Sequence, residues 1–197
     1  MVVAQPLDDV TVALKVSKKT PKLLLHCCCA PCASYVLEYL SPFFEITALF
    51  FNPNIGPREE YDKRAAEFQK LMSLAGYTNF VETIVCEYEP LAFAEAAEPF
   101  WDEPEGGRRC FKCYEMRLIE TARRATSSGY EYYASTLSVS PHKDAALLNE
   151  IGVNIAGQFG GLYLISDFKK RDGYRRSVEL SRQYGLYRQS FCGCKRN

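Results

Sequence analysis

The sequence predicts an α/β protein with a three-layer architecture, a mainly parallel sheet carrying helices on both faces. Three observations predict it. Short apolar runs alternate with longer amphipathic stretches along the chain, and prolines open several of those stretches. A content of 47% hydrophobic and 13% aromatic residues over 197 positions supplies one core.

Residues 22–27 (KLLLHC) read as a buried strand, 31–41 as a helix starting near Pro31, and 44–51 (FEITALFF) as a second strand. Pro57 to Gly76 fits an amphipathic helix entered by proline, 80–85 a third strand, 90–100 a short helix and 110–128 a longer one. A strand at 131–136, a helix at 141–156 beginning at Pro141, a strand at 161–165 and a helix at 173–184 complete the alternation. In such sheets ligands bind beyond the carboxyl ends of the strands. The loop after the first of these strands is HCCCAPC, and Ser135-Thr136 followed by SVSPHKD occupies the same end of a later one.

Nine cysteines in a chain with 24 basic and 24 acidic residues are the compositional anomaly. The opening MVVAQPLDDV has no basic start and carries Asp8 and Asp9, unlike a signal peptide. No apolar run approaches the roughly 18–20 residues of a membrane span. These features predict a cytoplasmic protein, not a membrane one, whose thiols are kept reduced.

The cysteines fall in clusters: Cys27, Cys28, Cys29 and Cys32 in LHCCCAPC, Cys110 and Cys113 in RCFKC, Cys192 and Cys194 in FCGCK, with Cys86 alone. Short-spaced pairs suit ligands that face one ion or cluster, whereas a disulfide framework scatters its cysteines. Cys110 and Cys113 lie one helical turn apart, so both sulfurs can point the same way. Structural zinc and an iron–sulfur cluster both take four such ligands, and spacing alone favours iron–sulfur only modestly. Small buried cysteines packed behind a strand are the bland alternative. The terminal pair sits beside Lys195 and Arg196, which favour thiolate, and reads equally as metal ligands or a redox dithiol, and less well as inert tail residues.

Net charge zero is an average. Residues 82–105 hold eight acidic and no basic residues, whereas 169–197 hold nine basic and two acidic ones. In the second segment Arg171, Arg175, Arg176, Arg182 and Arg188 are interleaved with Tyr174, Tyr184 and Tyr187, a mixture suited to phosphates and stacked bases and also to a solvated helix face. His26 after an apolar strand reads first as a hydrogen-bonded structural histidine. His142 and Asp144 sit at a helix start, where Asp is favoured by capping alone. The turn 103–107 (EPEGG) would place a carboxylate near Cys110, and Asn52-Pro53-Asn54 reads as a turn.

Six ordered strings, LLLHCCCAPC, FFNPNIGPREEYDKR, EPEGGRRCFKCYEMRL, STLSVSPHKD, ISDFKKRDGY and LYRQSFCGC, together resemble the epoxyqueuosine reductase family called QueH, from about Pro21 to Cys194. The resemblance implies an adenine-nucleotide-hydrolase-like (HUP-type) fold and a domain division of residues 1–20 as an extension and 21–197 as one catalytic domain. It implies a two-electron removal of the epoxide oxygen from epoxyqueuosine at the wobble position of tRNA, with an unidentified electron donor. It implies Cys28, Cys29, Cys110 and Cys113 as ligands of a 4Fe-4S cluster, and Cys192 with Cys194 as a second redox pair. An additional mononuclear iron would draw on Cys32, the terminal pair and a carboxylate. Cys27 departs from the family pattern and is left out of the ligand set. Asp144, His142 and Glu105 are candidate proton donors, and Arg171, Arg175, Arg176 and Tyr174 candidate tRNA contacts. A zinc-stabilised, non-catalytic tRNA-binding module is the alternative. HCCCAPC stands where an ATP-using tRNA-thiolation enzyme on this fold would carry a Ser/Gly-rich phosphate loop, which disfavours ATP use.

Overall fold

The computed structural model describes residues 3–194. Its strands are β1 (Ala4–Pro6), β2 (Lys22–His26), β3 (Glu45–Phe50), β4 (Phe80–Val85), β5 (Tyr132–Ser135) and β6 (Leu162–Ile165). They form one parallel sheet in the order β1-β6-β5-β2-β3-β4. The helices are α1 (Leu7–Ser17), α2 (Ala30–Leu40), α3 (Arg58–Leu74), α4 (Leu91–Ala97), α5 (Arg108–Ser127), α6 (Ala145–Phe159) and α7 (Gly173–Gln183). Among the described residues no helix is long and apolar enough to cross a membrane.

Strand alternation divides the core between the two faces. Leu23 and Leu25 of β2 pack with α1, α2, α3 and α7, while Leu24 packs with α4, α5 and α6. The two clusters make the outer layers of a three-layer α/β fold. The alternation runs on past β2, putting Cys27 in the first cluster and Cys28 against the second. Adjacent cysteines thus reach opposite faces, and Cys27 is spent on the core, fully buried with its thiol pushed well up by burial.

Most expected elements are present, with two differences. β1 and α1 were not anticipated, because a three-residue strand carries too few residues to show a period. They lie within the stretch read as an extension, and β1 pairs with β6. The helix expected from Pro141 begins at Ala145. The Asp144 carboxylate accepts from the N–H groups of Ala146 at 2.8 Å and Leu147 at 3.2 Å, so it caps the helix and leaves 141–143 outside it.

α7 is seated tightly. A Cβ at Gly173 would overlap the Phe168 carbonyl oxygen and the Tyr35 ring. Because the obstacle includes backbone, Gly173→Ala is expected to destabilise the protein by about 1–3 kcal/mol, read as a lowered urea midpoint with unchanged slope. An unchanged midpoint would show that the α2–α7 contact yields freely.

Candidate metal centre and cavity

β2 lies between β3 and β5, where the chain's outward progress along the sheet reverses, and such switch points carry ligand sites. His26 ties three strand ends together there. Its Nε2–H donates to the Phe51 carbonyl at 3.0 Å, which leaves Nδ1 to accept from the Ser135 hydroxyl at 2.9 Å. Burial and the nearby Arg117 lower its pKa to about 3, so it stays neutral. With both nitrogens engaged it is a structural residue, as its position suggested. Thr136 continues the clamp, its Oγ1 accepting from the Cys28 N–H at 3.1 Å.

The cysteine loop then opens α2, with Cys29 as N-cap and Pro31 in the first turn. The sulfurs of Cys28, Cys29 and Cys32 all lie within 4.8 Å of one another, a donor set that fits a thiophilic metal. Hydrogen bonds from Cys28 and Cys32 draw the Cys29 thiol well down, while Cys28 and Cys32 are pushed up. Negative charge therefore collects on Cys29, at a helix N-terminus that favours it.

Cys110 and Cys113 are buried in the first two turns of α5, within the cluster against which Cys28 and Cys194 pack. They share a stripe with Arg117, four residues beyond Cys113. Cys110 lies outside the tight sulfur trio and accepts from the Gly106 N–H at 3.2 Å. The terminal pair is brought in by the segment after α7: Gly193 lies against Ile55 and its carbonyl accepts from the Gly56 N–H at 3.0 Å. Cys192 and Cys194 sulfurs are 3.5 Å apart, and all nine cysteines are free thiols, so no disulfide joins them. The hydrogen bond from Cys194 lowers the Cys192 thiol against the effect of burial, and Lys143 adds to it; Cys194 is raised in turn.

Arg117 is the centre of this arrangement. It is 5% exposed, donates through Nη2 to the buried Asn54 Oδ1, and leaves Nε without a partner. Among the described residues no carboxylate pairs with it. Burial opposes its charge, but Cys113, Cys28, Cys192 and Cys194 outweigh that and raise its pKa. Three separate segments thus bring sulfur around one guanidinium, whose buried charge calls for thiolates or a thiolate-bound group.

A cavity of about 350 Å³ opens beside it, within the range for small-ligand sites. Cys28, Cys29, Cys32 and Cys192 line it, with Arg64, Glu105, Arg117, His142, Lys143, Tyr174, Arg188 and Gln189. Lys143 donates to Glu105 at 2.7 Å and lies 3.9 Å from the Cys192 sulfur. Burial works against its ammonium, yet Cys192 and Glu105 keep it charged, and its hydrogen bond holds Glu105 below the usual carboxylate range.

Of the residues singled out from sequence, His142 and Tyr174 line the cavity, whereas Asp144 is engaged in capping α6. Arg171 pairs with Asp8 at 3.0 Å, Arg175 with Asp172 at 3.0 Å, and Arg176 with Glu38 at 2.8 Å, all on the surface. Sequence reasoning missed Arg117, Lys143, Arg64, Asn54 and Gln189. Lys143, Arg64, Asn54 and Gln189 all lie inside the six ordered strings, but nothing in their spacing marks them as site residues, whereas Arg117 was detectable as the residue one turn beyond Cys113.

The profile of the family described as Epoxyqueuosine reductase QueH matches residues 23–196. The chain is similar to the Epoxyqueuosine reductase QueH of Streptococcus pyogenes serotype M1, 44% identical over 176 residues covering 88% of this chain and 69% of the relative. It is 43% identical over 180 residues to that of Staphylococcus epidermidis, covering 88% and 75% respectively. With the Thermotoga maritima protein of the same name it shares 32% over 175 residues, covering 87% and 88%. The matched stretch holds every cavity cysteine, both halves of the β2/β5 switch point and the terminal pair, and the chain belongs to the epoxyqueuosine reductase QueH family.

Proposed function

We propose that this protein reduces epoxyqueuosine to queuosine in tRNA, using a 4Fe-4S cluster held by Cys28, Cys29, Cys110 and Cys113. The observation that carries the reading is the gathering of cysteines from three segments around the buried Arg117, beside a cavity of nucleoside size. An additional mononuclear iron would take its donors from Cys32, Cys192, Cys194 and Glu105. When bound, these groups supply single electrons and a Lewis acid toward the epoxide oxygen. The balance is an epoxide plus two electrons and two protons giving an alkene and water, the electrons coming from an external donor.

The protein's own residues bind, orient and deliver protons. His142 and the Lys143–Glu105 pair line the cavity and are placed to hand protons to the departing oxygen. Asp144 is the third candidate donor, and must leave the α6 cap to serve. Tyr174 offers a half-exposed ring for stacking, and Arg171, Arg175 and Arg176 offer phosphate contacts that would exchange their surface carboxylates for RNA.

The 3.5 Å separation of the Cys192 and Cys194 sulfurs favours a second reading of that pair as a dithiol. On that reading, oxidation to a disulfide itself supplies two electrons and two protons.

The test is anaerobic purification with iron, sulfide and zinc analysis, then incubation of the reduced protein with epoxyqueuosine-tRNA and nucleoside analysis. Four or more irons per chain with conversion to queuosine are expected. Stoichiometric zinc without iron, and no conversion, would overturn the reading. Retention of single-turnover conversion by the metal-free dithiol would favour the second reading instead.

A further inference from the structure

We propose that Arg188, backed by Arg64, forms an anion subsite at the cavity that takes an RNA phosphodiester flanking the wobble nucleoside. This rests on the reading that the cavity receives a nucleoside of tRNA.

Arg188 differs from Arg171, Arg175 and Arg176, each of which has a carboxylate partner. Among the described residues no carboxylate pairs with Arg188. Its Nη1 reaches only neutral acceptors, the Ser181 hydroxyl at 3.2 Å and the Ser177 carbonyl at 3.4 Å, and its guanidinium lies 5.6 Å from the centre of the Tyr174 ring. All four of the residues needed for such a subsite, Arg188, Ser177, Tyr174 and Arg64, line the one cavity. Arg64 is 5% exposed, spends Nε on Glu60 at 2.6 Å, and keeps a buried Nη2 with no hydrogen-bond partner.

A buried guanidinium donor left over beside a second, uncompensated guanidinium is an arrangement short of one anion. Arg117 and Lys143 also line the cavity, but their charge is met by the cysteines and Glu105. That accounting leaves Arg188 as the unanswered charge, with a spare N–H donor on Arg64, whose own charge is met by Glu60. Phosphate oxygens match the fork geometry of arginine, and Tyr174 gives the adjoining base a ring to stack on. Arg188 is a substrate-positioning residue on this assignment and touches no reacting atom.

The experiment is a chemical double-mutant cycle on the iron-loaded protein. Binding of a synthetic anticodon stem-loop is measured by fluorescence anisotropy, with either a native phosphate or a neutral methylphosphonate on each side of the wobble nucleotide. Arg188→Gln and one of the two neutral linkages are each expected to weaken binding by about tenfold, and together by no more than either alone. The slope of log affinity against log salt should fall by about one in the variant. Arg188→Lys should recover part of the affinity, and the melting temperature of both variants serves as the control for folding.

Additive losses, or losses independent of which linkage is neutral, would overturn the assignment and leave Arg188 as a structural tie between α7 and the terminal segment. Competition by inorganic phosphate or a free mononucleotide as effective as the stem-loop would also overturn it, assigning the charge to a free anion. Failure of the functional reading is seen separately, as absence of conversion by the wild-type protein in the nucleoside assay.

Discussion

Cys113→Ser is expected to lose bound iron and to lower epoxyqueuosine reduction by more than about a hundredfold, since even supporting residues around a metal are worth roughly 10–100-fold. Cys113 is 7% exposed in the second turn of α5, and burial pushes its thiol up against the pull of Arg117. A thiol so placed gains little from ionising on its own, so the proposed cluster is what makes its thiolate worth burying. Serine keeps the size and polarity of the side chain but supplies a poor ligand for iron. Cys27→Ser is the matched control. It alters a fully buried sulfur in the opposite core layer, and is expected to lower the melting temperature while leaving the iron content intact. Iron retained by Cys113→Ser and lost by Cys27→Ser would reverse the assignment of the two cysteines.

Arg117→Met is expected to act far more strongly on the metal-loaded protein than on the metal-free one. In the metal-free protein it removes the desolvation cost of a buried guanidinium with an unpartnered Nε, but it also leaves the buried Asn54 Oδ1 without its donor, a loss of about 1–3 kcal/mol that offsets the gain. In the loaded protein it removes the positive charge that Cys28, Cys113, Cys192 and Cys194 surround, and metal affinity should fall by roughly 10–100-fold. Thermal unfolding with and without iron reads both effects. Loss of stability in the metal-free form alone would make Arg117 a packing residue tied to Asn54 and nothing more.

The parallel sheet was legible because its central strands are buried on both faces and so read as unbroken apolar runs, KLLLHC above all. β1 was not, since Ala4–Pro6 pairs through its backbone and its three side chains carry no pattern. The cysteine groups were legible as ligand-type pairs, but which of three consecutive cysteines faces the site depends on strand alternation carried past His26. Capping explains the misplaced start of α6: proline at 141 suggested the first turn, whereas the Asp144 carboxylate defines it. Composition could not rank the C-terminal arginines, because their partners Asp8 and Glu38 come from distant parts of the chain. Of the described arginines in that basic segment only Arg188 reaches the cavity, where it joins Arg64 on α3 and Arg117 on α5 from distant parts of the sequence.

By pairing along the outer side of β6, Ala4–Pro6 also leaves that margin with few free N–H and C=O groups to offer a second molecule, and Pro6 cannot extend the ladder as a donor. At the other margin, β4 carries Glu82 exposed, a charge that discourages pairing between molecules. The stretch that precedes the family match at residue 23 thus closes one margin of the sheet against a second molecule.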